Sequence, residues 1–144
     1  MIVVDTNVLV YAVSDQHPLV EPSRRLVEAA TARLLRATTT TDVIQEFAHV
    51  RTRRYGRRDA VRDARRYAAL LGPLITVDEN DLDDGLQIYE RNAQLDSFDA
   101  VLAAAAINRD ADALVSADRA FAGIRRLRHV DPATPALDEL ISSA

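Results

Sequence analysis

Short apolar segments alternate with segments of helical period along almost the whole chain, and this alternation limits the folds available to it. The apolar segments are residues 2–4, 74–77 and 113–116, and two further short segments of strand-forming residues are 37–41 and 127–130. Between them, apolar residues recur every three or four positions, as expected for amphipathic helices. Strands that alternate with helices of about 10 to 15 residues form a parallel sheet covered on both faces. The sequence therefore predicts an α/β fold around a central, mainly parallel sheet of four to five strands.

Apolar periodicity and capping residues place the helices. We predict helices over 22–36, 42–54, 58–71 and 135–142. Three more helices are predicted to begin near Val8, at the acidic run 78–84 and after Ser97. Thr41 or Asp42 and Ser97 are the predicted N-caps, because short polar side chains accept hydrogen bonds from the first helical N–H groups. In the second helix, the predicted inward residues are Leu26, Ala29, Ala30 and Leu34. In the helix that starts at the acidic run, they are Leu82, Leu86 and Tyr89.

The composition excludes several classes of protein. With 144 residues, 48% of them hydrophobic and 28% charged, the chain is expected to form a single domain over residues 1–144. No leader-like basic segment and no apolar run of about 18 residues is present, so we expect a cytoplasmic protein that does not enter membranes. Cysteine is absent and the three histidines are scattered, so a metal site would have to use oxygen ligands.

Four acidic residues occupy positions where a parallel sheet binds ligands. Asp5 and Asp118 lie just past the ends of apolar strands, and Glu46 and Asp99 lie about one turn into helices. Ligands bind beyond the carboxyl ends of parallel strands, so these side chains can converge. Carboxylates about 5 Å apart would repel by about 3 kcal/mol at an effective dielectric constant near 20, and a divalent cation would relieve that repulsion.

Oxygen ligands favour Mg²⁺, with Mn²⁺ as a substitute, and one or two such ions can activate water for attack on a phosphodiester. The pattern thus indicates a metal-dependent nuclease. Taken singly, each acid has a structural alternative. Asp5 could form a turn, Asp99 could be favoured by the helix dipole, and Asp96 competes with Asp99 for the same role.

Four segments together resemble the motifs of PIN domains, most closely those of VapC-type toxins. They are VVDTNVLVYA near the N-terminus, TTTDVIQEF in the middle, and SFDAVLAAAA and LVSAD in the last third. The resemblance implies a three-layer α/β/α PIN-like fold with the metal-binding acids at Asp5, Glu46, Asp99 and Asp118. It also implies supporting polar roles for Asn7 and Ser116, with Thr6 a weaker candidate.

The same resemblance implies a function. Proteins of this type are Mg²⁺-dependent endoribonucleases that hydrolyse RNA phosphodiesters with a metal-activated water. They are usually the toxin of a type II toxin–antitoxin pair, held inactive by a cognate antitoxin protein, and are commonly homodimers. A non-catalytic PIN-like module that binds RNA or protein, and a housekeeping ribonuclease without an antitoxin, remain the alternatives.

Residues 51–66 carry a local charge of +6 in a chain whose net charge is −4. Within this stretch and its helices, Arg51, Arg53, Arg54 and Arg58 are candidate contacts for RNA phosphate or for an acidic antitoxin segment. A solvated helix face is the alternative.

Two other Mg²⁺-binding classes fit less well. A haloacid-dehalogenase-type phosphatase needs a second Asp two residues after the first, where this chain has Asn7. That phosphatase and a signalling receiver domain both also rely on a lysine, and the chain has none.

Overall fold

A four-stranded parallel sheet forms the centre of the computed structural model, which describes residues 1–144. Its strands are β1 (Ile2–Val4), β2 (Ala37–Thr38), β3 (Ala113–Val115) and β4 (His129–Val130), in the order β2-β1-β3-β4. The helices are α1 (Thr6–Ala12), α2 (Val20–Thr31), α3 (Thr41–Tyr55), α4 (Arg57–Leu70), α5 (Glu79–Arg91), α6 (Ser97–Asn108) and α7 (Ala136–Ser142), and Arg119–Gly123 form a 3₁₀ helix. The predicted α/β fold with a mainly parallel sheet is confirmed.

The two central strands determine where the polar strand ends meet. Every residue of β1 and β3 is buried, which suits short β-branched and leucine segments with helices on both faces. Ile2 pairs with Ala113 and Val4 pairs with Val115. Because the two strands are parallel and paired residue by residue, the residues that follow them, Asp5 and Ser116, lie side by side at the carboxyl edge of the sheet.

Helix α6 is buried on nearly every side, and its small residues make this feasible. Ala100 and Ala103–Ala106 are all buried, and α6 packs closely against α5. The contact between the two helices is made at Gly85, where an added Cβ would lie 2.6 Å from Cγ2 of Val101. This close approach leaves room for glycine alone and brings the start of α6 to the carboxyl end of the sheet.

The prediction of a strand at 74–77 is wrong, because only Ile75 pairs with a neighbouring segment. The amide of Ile75 donates to the carbonyl of Thr39, and the amide of Thr41 donates to that of Ile75. Helix α3 begins at Thr41, so the neighbouring chain turns away before a second pair can form. The sheet therefore has four strands and one additional bridge.

The predicted inner face of α5 is also wrong. Leu82, Leu86 and Tyr89 are exposed, whereas Asp81 and Gly85 are buried. The buried face is polar because the Asp81 carboxylate pairs with Arg109 on the neighbouring segment. An apolar stripe on α5 therefore faces outward.

Three helix ends differ from their predicted positions. Thr40, and neither Thr41 nor Asp42, caps α3 by accepting a hydrogen bond from the amide of Val43. Asp96 caps α6 in place of Ser97. Helix α2 stops at Thr31, and Arg33 adopts a left-handed φ of 59°, so Leu34 points into solvent and was wrongly predicted to be inward. None of the helices combines the length and apolar character needed to span a bilayer.

Candidate active site

Asp5 occupies the junction of β1 and α1. It is the N-cap of α1, and its carboxylate accepts hydrogen bonds from the amide of Thr6 at 2.7 Å, Oγ of Ser116 at 2.7 Å and Nδ2 of Asn7 at 3.0 Å. All three donors are neutral. The buried carboxylate is therefore hydrogen-bonded and held in place, and no protein cation balances its charge.

Ser116 and Asn7 join the ends of the two central strands. Oγ of Ser116 accepts from Nδ2 of Asn7 and from the amide of Asp118, both at 3.0 Å. Oδ1 of Asn7 accepts from the amide of Ala117 at 3.1 Å. This network fixes the backbone that leads into Asp118, whose carboxylate in turn accepts from the amide of Ala120. Asn7 and Ser116 therefore orient the segment that carries Asp118, and both also donate hydrogen bonds to the carboxylate of Asp5.

Thr6 connects the first acid to the second. Its hydroxyl donates to Oε2 of Glu46 at 2.7 Å, across 40 positions of sequence. Glu46 projects from α3 and is exposed. The short hydrogen bond fixes Glu46 beside the Asp5 end of α1, so all three supporting residues contact an acidic residue.

Asp99 lies in the first turn of α6 among other negative charges. Burial, together with the negative charges of Asp5, Asp96, Asp118 and Glu46, raises its pKa to about 7. The pKa of Asp5 is raised to about 6, chiefly by burial, against the lowering effect of its hydrogen bonds from Ser116 and Thr6. The four predicted acids therefore act on one another electrostatically at one end of the sheet.

Asp96 is an additional acidic residue at this cluster. One of its carboxylate oxygens caps α6 by accepting from the amide of Asp99 at 2.8 Å. The sequence contained the signal for this role, because Asp96 and Asp99 have the spacing of an N-cap residue and the acidic residue three positions later. Asp96 thus adds negative charge beside Asp99.

A hard divalent cation fits this donor set. Asp5, Glu46, Asp99 and Asp118 take part in none of the seven ion pairs of the protein, and their ligand atoms are all carboxylate oxygens. No three acidic or histidine side chains are gathered tightly enough to enclose an ion as they stand.

Among the arginines of 51–66, Arg51 is packed and Arg62 pairs with Asp59 and Asp63, whereas others are exposed without an ion pair. Arg51 donates to the buried Asp63 at 3.1 Å and to the carbonyl of Val13, and its guanidinium lies 3.7 Å from the centre of the Tyr55 ring. Arg53, Arg54 and Arg58 are exposed and form no ion pair. Arg51 therefore ties α3 to α4, and the exposed arginines are available to a partner.

The sequence and the fold agree with a known family of proteins. The model of the PIN domain matches residues 2–127, so the chain belongs to the PIN-domain family.

Within that family it is similar to VapC proteins. It is 45% identical to ribonuclease VapC7 of Mycobacterium tuberculosis over 140 residues, with 92% of each chain covered. It is 32% identical to ribonuclease VapC13 of the same species over 133 residues, covering 88% of this chain and 99% of VapC13.

Solved structures share the fold. VapC20 of M. tuberculosis, described as a toxin that cleaves the sarcin-ricin loop, superposes with a TM-score of 0.70 at 19% identity, covering 89% of this chain and 99% of that one. A toxin–antitoxin complex from Klebsiella pneumoniae gives a TM-score of 0.69 at 19% identity, covering 92% and 98%. These two similarities establish the PIN fold, with its three α/β/α layers, for this chain.

Proposed function

We propose that this protein is a metal-dependent endoribonuclease and the toxin of a type II toxin–antitoxin pair. The observation that carries the proposal is the cluster of four carboxylates without a protein cation at the carboxyl ends of β1 and β3. Burial and repulsion there raise the pKa of Asp99 to about 7, and a divalent cation would remove the cause. The ribonuclease names of the relatives at 45% and 32% identity support the same reaction.

In this proposal, Asp5, Asp99 and Asp118 would hold the principal Mg²⁺, and Glu46 would complete the ligand set or help to hold a second ion. Mn²⁺ can substitute, since its ligand preference is similar. The bound ion supplies positive charge that favours ionisation of water and stabilises charge on the phosphate. Asn7 and Ser116 keep the carboxylates of Asp5 and Asp118 in register through their hydrogen bonds.

The proposed reaction predicts its own products. Attack by water on phosphorus leaves 5′-phosphate and 3′-hydroxyl ends. Attack by the 2′-hydroxyl of the RNA would leave 2′,3′-cyclic phosphate, and such ends would contradict the proposal. End mapping of cleaved RNA therefore distinguishes the two routes.

The decisive experiment incubates a structured cellular RNA pool with the purified protein, in Mg²⁺ and in chelator. Asp99→Asn tests the site, and Asp42→Asn is the matched control, because Asp42 is an exposed acid in the first turn of a different helix. We expect cuts at few sites that need Mg²⁺, persist in Asp42→Asn and vanish in Asp99→Asn. Intact RNA in every lane, with Mg²⁺ still bound, would favour a non-catalytic binding module.

We propose that Arg53, Arg54 and Arg58 contact RNA phosphate and that Arg51 keeps a structural role. Arg53 lies seven residues after Glu46, which places it on the same face of α3 and roughly 10 Å along the helix axis. His49 lies between them on that face and is 3.1 Å from Arg53. An exposed stripe thus leads from the acidic cluster to free guanidinium groups, which suits a polyanion bound across the site.

An antitoxin partner is proposed from the neighbouring structures, several of which are toxin–antitoxin or VapBC complexes. Expression of this chain alone and together with the product of an adjacent small gene tests the proposal. Growth arrest that the second protein reverses supports the toxin assignment. Unimpaired growth with an active nuclease would favour a housekeeping ribonuclease.

We also propose that residues 1–144 form one domain and that two copies associate. One hydrophobic core includes residues from Ile2 to Leu140, which supports the single domain. Leu82, Leu86 and Tyr89 form an exposed apolar stripe at intervals of four and three residues on α5, which supports a contact between two copies. Sedimentation of the wild type and of Leu86→Glu tests the homodimer, and we expect the variant to be monomeric.

A further inference from the structure

The hydrogen-bond ladder between β3 and β4 ends beside the candidate active site. The amide of Leu114 donates to the carbonyl of Arg128 at 2.9 Å, and the amide of Ser116 donates to the carbonyl of Val130 at 3.1 Å. In a parallel ladder, the next bond would run from the N–H of residue 132 to the carbonyl of Ser116. Residue 132 is proline, which has no N–H. The carbonyl of Ser116 therefore lacks its expected backbone donor.

A side chain takes the place of that donor. Nε2 of His129 lies 2.8 Å from the carbonyl oxygen of Ser116. A carbonyl can only accept, so Nε2 carries the hydrogen. The imidazole is partly buried and packs against the fully buried ring of Phe121, with 6.0 Å between ring centres. Packing thus fixes the ring in the orientation that the hydrogen bond needs.

Ser116 links two members of the acidic cluster, Asp5 and Asp118. Its hydroxyl donates to Asp5 and accepts from Asn7 and from the amide of Asp118. Its carbonyl belongs to the peptide plane shared with Ala117, whose amide donates to Asn7. A carbonyl free to rotate would move that plane and, with it, the start of the Asp118 segment.

We propose that His129 is a positioning residue, which replaces the missing backbone donor at Pro132 and thereby holds the Ser116–Asp118 segment in the geometry that aligns Asp5 and Asp118. The effect on the backbone is independent of any reaction. The effect on metal binding rests on the proposed function. Two separate measurements therefore test the two parts.

The first measurement is amide hydrogen exchange by NMR in the metal-free protein. His129→Phe keeps an aromatic ring against Phe121 and removes the donor, whereas His129→Gln keeps an N–H donor on a side chain of similar reach. Loss of one hydrogen bond is expected to speed exchange at Ala117 and Asp118 about tenfold in His129→Phe. His129→Gln should restore much of the protection, and His17→Phe, a change at an exposed histidine far along the chain, should leave it unchanged.

A double variant tests whether the imidazole of His129 replaces the missing backbone hydrogen bond. Pro132→Ala returns a backbone N–H to the position next in the ladder. In His129→Phe/Pro132→Ala, part of the lost protection at Ala117 and Asp118 should return. Exchange as fast as in His129→Phe alone would overturn the replacement of a backbone donor by the imidazole.

The second measurement is the affinity for Mg²⁺ by calorimetry, compared with kcat and KM for RNA cleavage. Loss of a partner that orients a metal ligand typically weakens metal affinity by about 10 to 100-fold, so His129→Phe should bind Mg²⁺ more weakly, with His129→Gln close to wild type. A variant with a lower Tm and unchanged exchange and Mg²⁺ affinity would show that His129 is merely structural, which overturns the proposal. A wild type that binds no Mg²⁺ would instead refute the proposed function, and the exchange data would still decide the role of His129.

Discussion

Two sets of buried carboxylates in this protein have opposite electrostatic properties. Asp5 is 5% exposed, Asp63 is 4% exposed and Asp81 is 1% exposed. Yet the pKa of Asp5 is raised to about 6, while the pKa values of Asp63 and Asp81 are lowered. Similarly low solvent exposure of the same side chain is therefore accompanied by pKa shifts in opposite directions.

Two things differ: Asp5 lies deeper in the protein, and its hydrogen-bond partners carry no charge. Burial raises the pKa of all three, but hydrogen bonds from Arg62 and Arg51 outweigh it at Asp63, and those from Arg109 and the Asp78 amide outweigh it at Asp81. Asp5 receives neutral donors only, and Asp99 has carboxylates as its charged neighbours. The scaffold therefore supplies its own cations between helices and leaves the acids at the strand ends without one.

This contrast separates stability from function. The paired acids join α3 to α4 and α5 to the end of α6, so they stabilise the scaffold. The unpaired acids repel one another in the folded state, which costs stability until a cation neutralises them. Sites that bind metal are commonly less stable in this way, because the ligand side chains must be placed together before the ion binds.

The largest expected effect follows from removing one unpaired charge. Asp99→Asn should lower RNA cleavage by at least about 100-fold, since losing a ligand exceeds the typical 10 to 100-fold cost of losing an outer partner of a ligand. Without metal, the same variant should melt at a higher temperature than the wild type, because repulsion among the acids is reduced. Cleavage assays and thermal melts in chelator check both effects. A variant that unfolds more easily would mean that Asp99 is part of the scaffold set.

The converse change removes a cation from the paired set. Arg109→Met leaves Asp81 buried without its guanidinium, and breaking a buried pair in this way typically costs roughly 3–5 kcal/mol. The loss should be toward the lower end, because Asn108 and the amide of Asp78 still donate to Asp81. Urea unfolding measures the loss, and Arg91→Met, an arginine in the last turn of α5 without an ion pair, is the control. Equal stability of both variants would remove the contrast between the two sets.

The pH dependence of stability should differ between the sets. A raised pKa means that the folded state holds the proton more tightly than the unfolded state, so the unfolding free energy falls as pH rises from about 4 to about 7. The lowered pKa of Asp81 contributes stability above its ordinary pKa, and this is lost only at lower pH. Between pH 5 and 8 the unpaired set therefore dominates. Melts in chelator should decline over that range in the wild type and less so in Asp99→Asn, and saturating Mg²⁺ should reverse the decline.

Much of the fold and of the acidic cluster could be predicted because the signals are local. Short β-branched segments and helical periodicity predict the parallel sheet, and parallel strands necessarily bring their carboxyl ends, with Asp5 and Ser116, to one edge. The positions of Glu46 and Asp99 near the starts of helices predict their part in the cluster, and the resemblance in motif order supports it. The four acids affect one another's ionisation because the topology of the sheet brings them together. Local sequence patterns predict that topology well.

The failures arose where a distant residue decides the outcome. The buried face of α5 depends on Arg109, which lies 28 residues after Asp81, so hydrophobic periodicity alone placed the wrong face inward. Likewise, the packing of Arg51 depends on the carbonyl of Val13, which lies 38 residues earlier in the chain.

The smallest expected effect concerns two arginines, one with a buried acidic partner and one without. Arg51 has a buried acidic partner and Arg53 has none, so Arg51→Gln should destabilise the protein, whereas Arg53→Gln should change stability by no more than about 0.5 kcal/mol. If Arg53 contacts phosphate, its variant should weaken RNA binding evenly across sequences and reduce the slope of log affinity against log salt by about 1. Fluorescence anisotropy of a labelled RNA on Asp99→Asn protein, over a series of salt concentrations, measures that slope without cleavage. An unchanged slope in Arg53→Gln would mean that the RNA does not follow α3 away from Glu46, since an exposed guanidinium on its path would release a counterion on binding.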